Sequence, residues 1–119
     1  MASHQQHCTP CEGGAPALSA VEAEHFAAMV PGWTIQDQTR RLVRPFKFPD
    51  FASSLEFVNA IGMIAEAEGH HPDICFGWGY VTVSLYTHAI SGLHKNDFLI
   101  AEKINNISFV PITDTGALS

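Results

Sequence analysis

Between Tyr80 and His88 the chain alternates: Val81, Val83 and Leu85 are apolar, and Thr82, Ser84 and Tyr86 between or after them are polar or amphipathic. A period of two is the mark of a strand with one core face and one wet face. The longest helical pattern, Phe51, Leu55, Val58, Ile61 and Ala65 behind an N-cap at Asp50, supplies an apolar stripe to lie on such a sheet. Gly62 within it costs helix stability by roughly 1 kcal/mol relative to alanine, which predicts close packing there. Upstream, Ser19 and Glu22 predict a capping box that opens a helix over residues 18–30, with Val21, Phe26 and Met29 as its apolar positions. Pro31-Gly32 stops that helix. Thr34 to Gln36 and Arg40 to Phe48 then read as a hairpin across Asp37-Gln38-Thr39, with Leu42, Phe46 and Phe48 on one face. Pro45 predicts an edge position for the second of these strands, and Arg40, Arg41 and Arg44 read as a solvated basic face.

After Pro72, Ile74 to Trp78 and Tyr80 to His88 form a second strand pair through Gly77 and Gly79. A last helix runs from Asn96 or Asp97 to Ile107, apolar at Phe98, Ile100, Ala101 and Ile104, and the residues from Pro111 are expected to fray. The order helix, two strands, helix, two strands, helix predicts a two-layer α+β domain with an antiparallel sheet and helices packed on one face.

Composition narrows the function. At 119 residues and 46% hydrophobic content the chain suits one domain with a single core, small enough for oligomerisation to add to it. The net charge of −6 and the scattered Lys and Arg argue against direct binding to nucleic acid. No apolar run approaches the roughly 20 residues of a membrane span, and the N-terminus lacks a signal-peptide layout, so a cytoplasmic location is expected. Residues 1–17 read as a flexible tail before a single domain over 18–119. Cys8 and Cys11 in that tail have a C-x-x-C spacing that zinc or a redox pair would suit, with His4 or His7 near. The bland reading of a short motif is the stronger one there.

Chemistry concentrates between Glu66 and Asp97. Gly69 and Pro72 punctuate a helix exit, so His70 and His71 cap a helix C-terminus, where the macrodipole favours protonated imidazole. Glu66 and His70, four apart, are expected on one side of the terminal turn. His88 has the polar parity of its strand and is expected to project into a cleft. His25, flanked by Glu22 and Glu24, reads as a solvated side chain.

His70-His71-Pro72, Trp78, His88, Gly92-Leu93 and Asp97, in this spacing, resemble the pterin-4a-carbinolamine dehydratases. The resemblance extends upstream through Pro31-Gly32-Trp33, Leu42, Phe46, Phe48 and Phe51, over residues 18 to 108. Gly69 departs from it, standing where the family often has an acidic or polar residue. The resemblance implies the same α+β arrangement, assembly into a homodimer or homotetramer, and dehydration of 4a-hydroxytetrahydropterin without metal or other cofactor. It implies a catalytic set of His70, His71 and His88, with His70 and His88 as the acid–base pair. Glu66, Thr87 and Trp33 are the implied substrate-binding residues, and Asp97 a supporting one. Read from the residues alone, Trp33 packs in the core, as a lone Trp more often does, or lines a ligand pocket, and Trp78 is a further candidate for the pocket wall or the core. An aromatic amino acid hydroxylase is the implied partner in the same pathway. Two other classes stay open: a His/Glu metal site, and a protein-binding, assembly or transcriptional coactivator module.

Overall fold

The structure, a computed structural model, describes residues 16–108; the Cys8 and Cys11 motif with His4 and His7, and the residues from Pro111, lie outside the described residues. Three helices, α1 (Ala20–Ala27), α2 (Phe51–Glu68) and α3 (Lys95–Asn105), alternate with strands β1 (Thr34–Gln36), β2 (Arg41–Lys47), β3 (Asp73–Gly77) and β4 (Tyr80–Leu85) in the expected order. The four strands form one antiparallel sheet in the order β1-β2-β4-β3, and the helices pack on one face of it.

The alternation in β4 is realised: Val81, Val83 and Leu85 are fully buried, and they meet Leu42 and Phe46 of β2 beneath Phe57 and Ile61 of α2 and Ile100 and Ile104 of α3. Burying side chains of this size contributes about 1.5–3 kcal/mol each, so this layer fixes which sheet face is covered. The Phe57 ring sits 4.7 Å from Phe46 and 5.0 Å from Phe48, which locks α2 over β2.

Both longer helical readings placed the inward face slightly wrong. In α2 the buried positions are Ser54, Phe57, Ile61 and Ala65, whereas Phe51 and Leu55 are exposed. Ser54 can turn inward because its hydroxyl donates to the Asp50 carbonyl at 3.1 Å, which removes the penalty of burying it. The capping box of α1 forms as expected, from Ser19 and Glu22, yet the helix ends at Ala27 and turns Ala23, Phe26 and Val30 inward. Val21 and Met29 face away from the core.

Two further expectations are corrected. A Cβ built at Gly62 meets nothing within 4 Å, so no close approach accounts for that glycine. Strand β2 is interior, between β1 and β4, despite Pro45. The reason lies in the length of β1, which pairs only Arg41 to Val43; Pro45 has β4 on one side and no strand on the other. That open side is where a proline nitrogen can point without costing a ladder bond.

Two chain reversals place the site. Gly69 closes α2 in the left-handed region (φ 64°), its N–H bonded to the Ala65 carbonyl, so the helix stops where His70 begins. Strand β4 ends at Leu85, earlier than the alternation suggested; Thr87 bridges to Gly92 around a 3-10 turn, His88–Ile90, that delivers the chain to α3.

Candidate active site

Asp97 lies in the first turn of α3 and is completely buried. One carboxylate oxygen accepts from the Thr87 hydroxyl at 2.8 Å and from the His94 backbone N–H at 3.0 Å. The other is 2.6 Å from His70 Nε2. A buried carboxylate stays only where donors replace its lost water, and here three elements supply them: the exit of α2, the exit of β4 and the start of α3. A carboxylate accepts and so favours the hydrogen on Nε2, which leaves Nδ1 as the ring nitrogen outside this bond.

The neighbouring imidazole is held differently. His71 Nε2 is 2.7 Å from Glu66 Oε2, and both side chains are mostly exposed. Glu66 therefore serves the second histidine of the pair, His71, and not His70 four residues on. The left-handed Gly69 interrupts the helical period, so counting in steps of four stops being valid at His70.

His88 projects outward from the 3-10 turn beside Thr87. Its ring stacks on Tyr86, with centroids 4.1 Å apart and planes 16° from parallel. On the same sheet face Arg41 places its guanidinium carbon 4.2 Å from the Tyr86 centroid, while donating to Ser84 Oγ at 2.9 Å and to Asp73 at 3.3 Å. A cleft of about 270 Å³ lined by Asp37, Arg40, Arg41, Tyr86 and Ser91 opens beside this stack.

The structure thus gathers His70, Thr87 and Asp97 by direct bonds, with His71 and His88 one residue from members of that set. Trp33 is not among them. It is buried in the core, with its Nε1–H donated to Asn105 Oδ1 at 2.8 Å. Asn105 ends α3 and Asp97 begins it, so the two points are about 12 Å apart at 1.5 Å per residue. Trp33 thus takes the core setting that a lone Trp more often has, and not the substrate-binding place that the resemblance implies. Trp78 is not a core residue: it stands 72% exposed at the tip of the β3–β4 hairpin.

One residue of the cluster escaped sequence reasoning. His94 caps α3, its Nδ1 accepting from the Asn96 backbone N–H at 3.1 Å while Asp97 returns the bond to the His94 N–H. Burial lowers its pKa below the usual histidine value, Asp97 pulling it up and Lys95 and His70 pushing it down. The pattern cap-x-x-acid was visible at His94 and Asp97, but histidine is seldom read as a capping acceptor. Among the described residues, no cluster of three or more His, Cys, Asp or Glu side chains has the arrangement of a metal site; His70 and His71 turn to different carboxylates.

An antiparallel sheet backed by helices on one face, with paired imidazoles at a helix exit and a third at a strand exit, defines an α+β protein carrying acid–base groups. The sequence profile of the family described as pterin 4 alpha carbinolamine dehydratase matches residues 16–107, and the chain belongs to that family. It is 52% identical over 103 residues to a protein of Cupriavidus pinatubonensis named provisionally as pterin-4-alpha-carbinolamine dehydratase 1, covering 87% of this chain and 89% of the relative. A relative from Methylococcus capsulatus with the same provisional dehydratase name is 48% identical, over 87% of this chain and 90% of its own length. Among solved structures, a transcriptional coactivator/pterin dehydratase from Brucella melitensis superposes with a TM-score of 0.71 at 30% identity, over 75% of this chain and 95% of that one. A pterin dehydratase-like protein described as a RuBisCO assembly factor in the alpha-carboxysome gives a TM-score of 0.55 at 27% identity, over 62% of this chain and 86% of that one.

Proposed function

We propose that this protein dehydrates 4a-hydroxytetrahydropterin to quinonoid dihydropterin and water, by acid–base catalysis with His70 and His88. The observation that carries the reading is the buried Asp97, which binds His70 directly and binds Thr87, the residue before His88. One carboxylate thereby holds the His70 ring and the side chain of the residue next to His88.

Loss of water from a carbinolamine needs a proton delivered to the hydroxyl as the C–O bond breaks. The neighbouring ring nitrogen supplies its lone pair to the new C=N bond and gives up its own proton. One imidazole delivers the first proton and the other takes the second, so charge balances over the turnover. Imidazole, which can both donate and accept a proton, suits both roles. His70 acts through Nδ1, and His88 through the edge of its stacked ring. His71 and Glu66 bind and orient the pterin, while Thr87, expected to bind it as well, is buried and instead holds Asp97 through its hydroxyl. The chemistry calls for no metal or redox cofactor. Such a product belongs in tetrahydrobiopterin-type recycling in the cytoplasm, downstream of an aromatic amino acid hydroxylase that forms the carbinolamine.

Turnover of a 4a-hydroxytetrahydropterin by the purified protein tests this reading. His70→Ala and His88→Ala are each expected to lower kcat by about 10²–10⁴-fold, and the double variant to lose less than the product of the single losses. His71→Ala is expected to act mainly on KM. Near-native turnover by both single variants would move the active site elsewhere. The second reading, a binding or assembly module, draws support from Phe51, Leu55 and Met63 exposed along α2; it takes over if the wild-type protein fails to accelerate the dehydration.

A further inference from the structure

The three imidazoles of the proposed site are oriented by different means. Carboxylates hold two of them, His70 by Asp97 and His71 by Glu66. His88 contacts an aromatic face instead, that of Tyr86. Two groups that each sit about 4 Å from one ring centroid cannot share a face of that ring without colliding. The Arg41 guanidinium at 4.2 Å and the His88 ring at 4.1 Å therefore take opposite faces, and Tyr86 is the middle layer of a three-layer stack. The outer layer is itself fixed: Arg41 is tied to Ser84 of β4 and Asp73 of β3, so it cannot swing away with the loop. The backbone of His88 is fixed too, by the Thr87–Gly92 bridge and by the Ser91 N–H donating to the His88 carbonyl.

We propose that Tyr86 is a positioning residue for His88, clamping the plane of its imidazole against the Arg41 guanidinium while leaving the ring edge open. The inference rests on the dehydratase reading for its catalytic consequence. Face-to-face stacking uses the π surface of a ring, and both imidazole nitrogens lie on the edge. A carboxylate partner, as at His70, occupies one nitrogen; a stacking partner occupies neither. That distinction leaves both nitrogens of His88 open for the one proton transfer that falls to it.

Two variants and two readouts test the clamp. Tyr86→Leu removes the ring, and Tyr86→Phe keeps it without the hydroxyl. In proton NMR of the histidine side chains, His88 ring protons stacked on Tyr86 are displaced upfield by its ring current. They are expected to move to the position of an unstacked imidazole in Tyr86→Leu and to stay displaced in Tyr86→Phe. In the dehydration assay, Tyr86→Leu is expected to lower kcat by about tenfold to a hundredfold, the scale of an ångström-sized misplacement, with KM changed by less than about twofold. Tyr86→Phe is expected to recover most of that loss, which a purely structural role of the hydroxyl would not allow. Unmoved His88 resonances in Tyr86→Leu, or wild-type kcat in that variant, would overturn the proposal. If the wild-type protein has no dehydratase activity, the function reading fails by itself, and the resonances still decide whether Tyr86 orients His88.

Discussion

His94 shows how a single side chain couples helix capping to the histidine cluster. Its Nδ1 can accept the Asn96 N–H only while that nitrogen keeps its lone pair, so protonation there removes the cap. Burial already lowers the folded-state pKa below the usual 6.5, with Asp97 opposing and Lys95 and His70 assisting. The unfolded chain therefore binds this proton more readily than the folded one. Stability from this group is fully present above about pH 6.5 and is lost as pH falls below that value. His94→Ser keeps an oxygen cap that does not titrate. Denaturant midpoints measured at pH 7.5 and 5.5 are expected to fall less for His94→Ser than for the wild type; parallel losses would show that the cap does not titrate in this range.

At the scale of elements, the glycine inside α2 is the clearest case of a residue whose sequence meaning and structural meaning differ. Nothing lies within 4 Å of a Cβ at Gly62, and its backbone is helical. Gly62→Ala is therefore expected to stabilise the protein by about 0.5–1 kcal/mol, read as a higher urea midpoint with an unchanged slope. Element order, the caps at Ser19 and Asp50 and the core parity of β4 were legible because each is a local pattern. The inward faces of α1 and α2 were legible only in part, Phe26, Ile61 and Ala65 being placed and Ser54 and Phe57 missed, because a small rotation about the axis depends on what the helix packs against: Phe57 fits between Phe46 and Phe48, and Ser54 carries its own hydrogen bond inward. The place of β2 was hidden for a similar reason, since the shortness of β1 decides whether Pro45 faces a neighbour. In the site, the spacing of His70, His88 and Asp97 was readable, but the pairing of His70 with Asp97 is a contact across 27 positions that no local rule supplies.

The whole molecule has helices on one sheet face and apolar side chains still exposed on α2, namely Phe51, Leu55 and Met63. Covering them, and the sheet edges at β1 and β3, is expected to drive self-association. Sedimentation at micromolar concentration should give the mass of a dimer or tetramer, and a monomeric mass there would count against the expectation. The two tryptophans occupy contrasting settings, Trp33 6% exposed with its indole N–H bonded to Asn105, and Trp78 72% exposed at a hairpin tip. Optically the chain is thus a two-colour object: an external quencher such as iodide reaches the indole at the tip and leaves the inner one bright. Replacing Trp78 by phenylalanine leaves an emission that reports one event, the departure of the end of α3 from the turn before β1.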